Sequence, residues 1–274
     1  MLFGVWARRG SLLGMADMQL AVDVSNYTGA ITAEQARCLR SQGVEHLVAG
    51  TQVASITRAQ LEAASAAGMT IDAYVYLYWR RDVRAEVARA LETIEGLPVG
   101  RLWVDCEDDS SGIEPGVIVE RIDTAIEACA LNPAGIYTGR WWWAPATSDS
   151  RRFSDLPLWH AQYTRSADER PVFDAFTAYG GWTRPLMWQF RGITQLCGVS
   201  VDLNLREVNV DQTPNNDLDR IELALLRAGQ RFDRARALGR YVFRPAPDPT
   251  MVELQRVEDG HGVSFEPPCL LPVD

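Results

Sequence analysis

Apolar runs alternate with amphipathic segments over the first half of the chain, from residue 19 to residue 139. The apolar runs are short, and several are rich in β-branched and aromatic residues, which is typical of buried strands: 19–25, 46–51, 70–79, 101–107 and 134–139. The segments between them have apolar residues at helical spacing: 32–43, 57–68, 82–96 and 114–130. Strands that alternate with helices of this length predict a parallel sheet.

Polar residues mark where these helices begin. Thr32 with Gln35, and Thr57 with Gln60, have the spacing of a capping box, in which each side chain bonds the main-chain N–H of the other residue. Asp82 predicts the N-cap of the third helix. Glycines that follow the first three amphipathic segments are typical of helix ends.

The helical pattern becomes sparse after residue 139. Three further strands are predicted there, at 156–163, 184–190 and 199–205. Eight strands with this spacing favour a closed barrel over an open sheet, and no glycine-rich nucleotide-binding motif follows the first strand. We therefore predict an α/β fold, a (β/α) barrel of TIM type.

The two ends of the chain differ from this central segment. We expect residues 1–17 to be a disordered extension, 18–210 to form the barrel, and 211–274 to be a helical or irregular extension of unknown role. The C-terminal part contains an Arg-rich amphipathic helix at 217–239 and a hairpin that turns at 258–262. No run approaches the roughly 18 apolar residues of a membrane span, so we expect none.

Charge and cysteine usage narrow the possible partners. The net charge is −9, and no basic stripe is present to neutralise phosphates, which argues against nucleic acid as a partner. The five cysteines are scattered, and none has the spacing of a metal site. Such a set predicts reduced and mostly buried thiols, although the sequence is also compatible with one disulfide.

Four acidic residues lie at the ends of predicted strands. Asp105 and Glu107 are two apart and therefore project from the same side of one strand, while Cys106 faces the other way. Asp23 ends the first strand and Asp202 lies on the last, which neighbours the first in a closed barrel. Singly, such residues are typical of caps and turns. Together they predict a functional cluster, because burying like charges is costly for folding.

Two kinds of chemistry use a cluster of carboxyl groups: glycoside hydrolysis and the binding of a hard divalent cation. The aromatic residues favour a sugar, since three tryptophans follow the fifth strand in a predicted loop, "YTGRWWWAP". The three histidines have no ligand spacing, and we predict neither a metal nor another cofactor. Asp108 and Asp109 are interpreted as solvated loop residues.

Several stretches resemble glycoside hydrolase family 25, the Chalaropsis-type lysozymes. They are "AVDVSNYTGAI", "LWVDCE", "GIYTGRWWW", "LWHAQY" and "MWQF" followed by "GVSVDLN", in family order over roughly residues 19–208. The resemblance implies a barrel of five βα units followed by three strands with few helices. It also implies cleavage of the β-1,4 bond between N-acetylmuramic acid and N-acetylglucosamine in peptidoglycan.

The resemblance also assigns roles to residues. Glu107 is similar to the family's general acid, and Asp105 to its partner, either as nucleophile or as the carboxylate that orients the substrate acetamide. Asp23 and Asp202 correspond to acids that shape the pocket and raise the pKa of the general acid. The predicted substrate-binding residues are Asp23, Asp202, Tyr74, Tyr137, Trp141, Tyr163, Trp188 and Asn204.

The chain departs from the family pattern beside this site. "AGTQVAS" after the second strand lacks the family's Lys and Glu, and Val75 follows Tyr74 where the family usually has His. An altered saccharide preference, or a weakly active or inactive glycan-binding barrel, is therefore the alternative to an active muramidase. A metal-dependent hydrolase is a third hypothesis.

The predicted partner is peptidoglycan or a related amino-sugar polysaccharide, bound by a monomer. Residues 1–17 lack the pattern of a secretory signal. We therefore expect synthesis in the cytoplasm and, for a lysin, delivery to the cell wall by another route.

Overall fold

Eight strands close into a barrel in the computed structural model, which describes residues 17–129, 133–164, 171–208, 241–245, 251–258 and 261–272. Neighbouring strands pair in chain order, and β8 closes the barrel against β1. Strands β1 to β7 are parallel, whereas β8 is antiparallel to both its neighbours. The strands are β1 Asp17–Val24, β2 Val44–Gly50, β3 Thr70–Tyr76, β4 Val99–Asp105, β5 Ala134–Thr138, β6 Leu158–Ala161, β7 Met187–Leu196 and β8 Val199–Val208.

One α-helix follows each of the first five strands. The helices are α1 Ala33–Ser41, α2 Ala54–Ala66, α3 Val83–Ile94, α4 Pro115–Ala128 and α5 Arg140–Thr147. In the described residues from β6 to β8, only a short 3-10 turn at Phe173–Ala175 is helical. The predicted barrel, with five βα units before three strands with few helices, is confirmed.

The predicted helix starts are right for α1 and α3. Thr32 and Gln35 form the capping box, and the Asp82 side chain accepts from the Ala85 N–H. The box predicted at Thr57 is wrong, because α2 begins one turn earlier, at Ala54. The Thr57 hydroxyl instead donates to the carbonyl of Gly50 at the end of β2, at 2.6 Å.

Gln60, the other half of that predicted box, also makes a tertiary contact. Its Nε2 donates to the carbonyls of Ser25 and Gly29, at 2.9 and 2.7 Å. These bonds tie α2 to the loop after β1. Two residues with the spacing of a capping box therefore make long-range contacts here. The sequence alone does not distinguish a helix cap from such a contact.

Side chains alternate along the strands between two apolar layers. The inner layer fills the barrel and is rich in aromatic residues: Ala21, Val48, Tyr74, Trp103, Tyr137, Trp159, Ala161 and Met187. The outer layer lies between the strands and the helices and includes Val22, Val104, Cys106 and Ile136. Cys106 therefore faces away from the barrel interior, as the two-residue period predicts.

The tryptophan triplet lies on α5 rather than in a loop. Trp142 and Trp143 are buried in the outer layer, and Trp142 stacks on Trp79 with ring centroids 5.3 Å apart. Trp141 remains 62% exposed. The prediction of a loop is wrong because two of the three indoles gain burial against neighbouring elements, which stabilises a helical turn that begins after Gly139.

Cys38 and Cys197 form a disulfide that joins α1 to the turn between β7 and β8. The expectation of reduced thiols is therefore wrong for this pair, which 159 positions separate along the chain. Cys106 and Cys129 are free and buried, as expected. Closure of the barrel brings α1 beside the β7–β8 hairpin. The spacing of the cysteines in the sequence does not predict this contact.

Three antiparallel strands form a second sheet near the C-terminus, in the order β11, β10, β9. They are β9 Tyr241–Pro245, β10 Met251–Glu258 and β11 His261–Pro272. Glu258 pairs with His261, which confirms the hairpin predicted at 258–262. Strand β9 was not predicted, although its aromatic and β-branched start is typical of a strand.

Two predictions for the ends of the chain lie largely or wholly outside the described residues. These are the helix at 217–239 and the disordered extension at 1–17, of which only Asp17 is described, as the first residue of β1. Among the described helices, none combines the length and the apolar character that crossing a membrane requires.

Candidate active site

The C-terminal ends of the barrel strands surround a cavity of about 440 Å³. Four carboxyl side chains line it: Asp23, Asp105, Glu107 and Asp202. Asp105 is the last residue of β4 and Glu107 lies two residues beyond it, while Asp23 and Asp202 face each other across the β1–β8 pair. The structure thus brings together the four acids that the sequence singled out from three strands.

Asp23 is buried and held by two amide groups. Its Oδ1 accepts from Asn204 Nδ2 at 2.8 Å and from Gln189 Nε2 at 3.0 Å. Burial and the neighbouring Asp202 carboxylate raise the pKa of Asp23 to about 7, although both amide bonds act in the opposite direction. Desolvation is the larger cause, because the charged form loses more hydration than the neutral form.

Gln189 connects the acids of β1 and β8. Its Nε2 donates to Asp23 and also to Asp202 Oδ2, at 3.2 Å, and its Oε1 accepts from the Tyr137 hydroxyl at 2.9 Å. Sequence reasoning missed this residue as a site residue. The strand period could have identified it. Gln189 lies two positions after Met187 in "MWQF", so both side chains point into the barrel.

Asp105 and Glu107 differ in their surroundings. Asp105 is only 4% exposed, and its buried Oδ1 has no hydrogen-bond partner among the described residues. Burial and the nearby Glu107 carboxylate raise the pKa of Asp105 well above its usual range. Glu107 is partly exposed at the cavity, and burial together with Asp202 raises its pKa.

Asp108, next to Glu107 in the chain, is held by hydrogen bonds and is not a solvated loop residue. Its main-chain carbonyl accepts from the indole N–H groups of Trp142 and Trp79, at 2.8 and 3.2 Å. Its carboxylate accepts from the Trp79 main-chain N–H and from the Tyr76 hydroxyl, both at 3.3 Å. The prediction for Asp109 agrees with the structure, since that side chain is 66% exposed.

Three of the predicted substrate-binding aromatics line the cavity: Tyr74, Tyr137 and Tyr163. Tyr27 and Trp159 also line it and were not predicted. Tyr27 is 93% exposed in the loop after β1, so its ring is available at the cavity mouth.

Three other predicted residues do not line this cavity. Asn204 is fully buried and accepts from the Trp159 indole at 2.7 Å while donating to Asp23. Trp188 is buried on the outer face of β7, where its indole donates to the Gln162 carbonyl. Trp141 is exposed on α5. Asn204 thus supports an acid, and Trp188 has a packing role.

The altered ends of β2 and β3 meet at the edge of the cavity. The Gln52 side chain hydrogen-bonds Tyr74, and both lie close to Gly50. A Cβ on Gly50 would approach the Tyr74 hydroxyl to 2.6 Å, so glycine is needed for this contact. Among the residues that the structure describes, no group of three or more His, Cys, Asp or Glu side chains has the arrangement of a metal site.

Known proteins resemble this chain in sequence. A family model described as Lysozyme-like protein 1 matches residues 14–190. The probable GH family 25 lysozyme 3 of Dictyostelium discoideum is 28% identical over 208 residues, which are 70% of this chain and 42% of that protein. Counting factor 50 of the same organism is 31% identical over 205 residues, 68% of this chain and 66% of that protein. The chain therefore matches less than half of the first relative's length.

Solved structures share the fold. A muramidase from Trichobolus zukalii has a TM-score of 0.57 at 19% identity, over 71% of this chain and 96% of that chain. A bacterial lysozyme from Streptomyces coelicolor has the same TM-score and identity, over 70% of this chain and 93% of that chain. The family model covers well over half of the sequence and the barrel agrees with it, so the chain belongs to the glycoside hydrolase family 25 lysozymes.

Proposed function

We propose that this protein is a glycoside hydrolase that cleaves the β-1,4 bond between N-acetylmuramic acid and N-acetylglucosamine in peptidoglycan. The observation that carries the proposal is the convergence of Asp105 and Glu107 on one cavity with Asp23 and Asp202. Folding alone gains nothing from four neighbouring carboxyl groups, because their mutual repulsion and desolvation are unfavourable. Membership of a lysozyme family makes a glycan the fitting substrate class.

Glu107 is the general acid in this proposal. It is partly exposed at the cavity and can therefore reach the glycosidic oxygen of a bound saccharide. Its raised pKa keeps the carboxyl protonated at a pH where an ordinary glutamate has lost its proton. Proton transfer from Glu107 to the leaving oxygen breaks the C–O bond without expelling an alkoxide.

Asp105 acts on the other side of the bond, as nucleophile or as the group that orients the substrate acetamide. Asp105 lines the cavity, and its carboxyl group can accept from a substrate acetamide N–H, as the second role requires. That bond would also stabilise the ionised form of Asp105, since burial raises the pKa of this carboxyl group. The acetamide oxygen would then be positioned to attack the anomeric carbon.

The other polar groups of the cavity raise the pKa of Glu107 and fix the positions of the neighbouring acids. Asp202 raises the pKa of Glu107, and Gln189 fixes Asp202 relative to Asp23. The Tyr137 hydroxyl donates to Gln189, so its ring lies along the cavity wall with little freedom to turn. These contacts are made between protein groups, and such fixed polar groups reduce the reorganisation needed during reaction.

Glycan binding without hydrolysis is the alternative. It is favoured by the altered strand ends, where Gln52 bonds Tyr74 at the cavity edge. The four intact carboxyl groups favour hydrolysis, because a binding module needs no proton donor.

The experiment is a comparison of wild type with Glu107→Gln on purified peptidoglycan, with reducing ends and soluble muropeptides as readouts. We expect the variant to lose at least about 100-fold in rate, the usual contribution of a general acid. Glu62→Gln, on the exposed face of α2, is the matched control and should retain full rate. Chelator should change neither result.

Two outcomes would contradict the proposal. Full activity of the Glu107→Gln variant would show that Glu107 is not the general acid. If wild type binds peptidoglycan but releases no reducing ends from several wall types, the binding-module alternative is correct.

A further inference from the structure

Two amide side chains converge on a single oxygen of Asp23. The nitrogens of Asn204 and Gln189 both donate to Asp23 Oδ1, at 2.8 and 3.0 Å. A carboxyl oxygen has two lone pairs, and these two bonds occupy both of them. A proton on the Asp23 carboxyl group must therefore lie on the other oxygen, Oδ2.

Trp159 fixes which end of the Asn204 amide faces Asp23. The Trp159 indole nitrogen lies 2.7 Å from Asn204 Oδ1. An indole N–H can only donate, so the Asn204 atom beside it has to be the oxygen. The Asn204 nitrogen then points at Asp23. Trp159 and Asn204 are both buried, so water does not compete for these bonds.

Tyr137 orients the Gln189 amide in the same way. The Tyr137 hydroxyl donates to Gln189 Oε1 at 2.9 Å. Burial raises the pKa of Tyr137 well above its usual range, so this hydroxyl keeps the proton that it donates. The Gln189 nitrogen is left to donate to Asp23 and to Asp202. Both amides thus direct N–H groups at Asp23 Oδ1.

Asp23 is the member of the Asp23–Asp202 pair that more readily holds a proton. The two carboxyl groups share the Gln189 nitrogen as a donor and are close neighbours. Asp202 is more exposed, and the Ile193 N–H donates to it at 2.7 Å, which favours its charged form. Burial and the Asp202 charge raise the pKa of Asp23 to about 7. Asp23 is therefore largely neutral in mildly acidic solution.

Acids and phenols surround the Asp23 carboxyl group. They face it from β3, the end of β4, β5, the segment after β6, and β8: Tyr74, Asp105, Glu107, Tyr137, Tyr163 and Asp202. Burial raises the pKa of all three phenols, so they are neutral near pH 7. Each neighbouring carboxyl group that ionises favours the neutral form of Asp23.

Oδ2 is the oxygen of Asp23 that remains for a ligand. Asp23 lines the cavity and is 9% exposed. The described residues make no hydrogen bond to Oδ2. Unlike Asp105 Oδ1, which is fully buried without a partner, Asp23 Oδ2 keeps some accessible surface. A proton on Oδ2 is thus available to a group bound in the cavity.

We propose that Asp23 binds the saccharide as a neutral carboxyl group, donating from Oδ2 to a sugar oxygen, and that Trp159 and Asn204 are positioning residues for this donor. The inference rests on the proposed function for the identity of the ligand. Hydroxyl, ether and acetamide oxygens of a sugar can all accept such a bond. Because the ligand prefers protonated Asp23, its binding should weaken as pH rises through 7.

The experiment measures saccharide binding at pH 5 and pH 8 by full-length Glu107→Gln protein, the parent, which should not consume its ligand. The probe is a tetrasaccharide of alternating N-acetylglucosamine and N-acetylmuramic acid. We expect the parent to bind roughly tenfold more weakly at pH 8 than at pH 5. The reason is that only about one tenth of Asp23 is protonated one pH unit above its pKa.

Addition of Asp23→Asn to the parent supplies a donor that does not titrate. The new side chain has an oxygen that can accept from Asn204 and Gln189, and a nitrogen that can take the place of Oδ2. This variant should bind as tightly as the parent at pH 5 and roughly tenfold more tightly than the parent at pH 8. Thermal unfolding at each pH checks that both proteins are folded.

Trp159→Phe, also added to the parent, tests the positioning role. It keeps a ring but lets the Asn204 amide turn its oxygen toward Asp23, which draws the proton to Oδ1. We expect binding at pH 5 to become as weak as at pH 8. Trp103→Phe is the matched control, because it removes a 2.9 Å bond from another buried indole of the inner layer, to Asp72. It should keep the pH dependence of the parent.

Three results would overturn the inference. Weaker binding by the Asp23→Asn variant at both pH values would show that the ligand needs a charged carboxylate. Equal affinity of this variant and the parent at both pH values would show that the Asp23 proton does not contact the ligand. A uniform loss in Trp159→Phe, with the pH dependence retained, would exclude the positioning role.

Peptidoglycan cleavage by wild type, measured in parallel, separates these failures from failure of the proposed function. If wild type cleaves peptidoglycan and any of the three results is obtained, only the inference is wrong. If wild type neither cleaves nor binds any wall material, the proposed function and the inference are both wrong.

Discussion

At the scale of single residues, Asp108 controls the position of the proposed general acid. It directly follows Glu107, and four hydrogen bonds from Tyr76, Trp79 and Trp142 hold its carbonyl and carboxylate. The stacked rings of Trp79 and Trp142 are buried, so this support is rigid. These contacts therefore fix the main chain next to Glu107.

Replacement of Trp142 by Phe tests this support. It removes the 2.8 Å bond to the Asp108 carbonyl and keeps most of the ring. We expect kcat on peptidoglycan to fall roughly tenfold with little change in KM, because small misplacements of a reacting group are costly. The free energy of unfolding should fall by about 1 kcal/mol, the usual net contribution of such a bond.

Trp143→Phe is the matched control on the same helix. It removes a similar indole bond, to the Ser150 carbonyl at 3.1 Å, which has no contact with Glu107. A similar loss of stability with unchanged kcat is expected. If both variants lose activity in parallel with stability, the role of Trp142 is only structural.

At the scale of elements, the disulfide connects the start of the barrel to its last hairpin. Cys197 and Gly198 form the two-residue turn between β7 and β8, and both have positive φ. The Gln35 side chain also donates to the Gly198 carbonyl, at 3.4 Å. The hairpin carries Gln189, Ile193 and Asp202, so α1 supports the elements that supply one side of the cavity.

Reduction of this disulfide should destabilise the protein. We expect the free energy of unfolding to fall by roughly 2–4 kcal/mol, because the bond restricts a long segment of the unfolded chain. Denaturant unfolding with and without reductant measures the change. The double variant Cys38→Ser/Cys197→Ser should be insensitive to reductant, and a wild-type curve unaffected by reductant would contradict the prediction.

At the scale of the whole molecule, the acid cluster makes stability depend on pH. The folded-state pKa of Asp23 is raised from 3.8 to about 7, so the folded protein holds more protons than the unfolded chain between these values. Stability therefore falls as pH rises from about 4 to about 7 through this group. The raised pKa values of Asp105, Glu107 and Asp202 act in the same direction.

Asp23→Asn removes this titration and keeps an oxygen that can accept from Gln189 and Asn204. We expect the variant to be more stable than wild type above pH 7, on the order of 1–3 kcal/mol, with no gain near pH 4. Thermal unfolding across this pH range measures the effect. Asp155→Asn, at an exposed site, should follow wild type, and a pH-independent difference for Asp23→Asn would refute the explanation.

Local sequence patterns predicted the eight barrel strands, the first four helices, the barrel class and the four acids of the cavity. These features depend on local periods, since strand alternation and helical spacing are properties of neighbouring residues. The acids could be placed together because strand ends in a barrel share one rim. Inward and outward positions followed from the same period, as Asp105 and Cys106 show.

The contacts between polar groups that are distant in sequence depend on the closed barrel. Gln189 and Asp23 are 166 positions apart, Asn204 and Asp23 are 181 apart, and Cys38 and Cys197 are 159 apart. Such pairs form only when the barrel closes, and no pattern of neighbouring residues predicts them. Thr57 and Gln60 show the converse, because they have the spacing of a capping box but contact β2 and the loop after β1 instead. Asp108 was misread for the same reason: its partners lie on β3, the loop after it and α5.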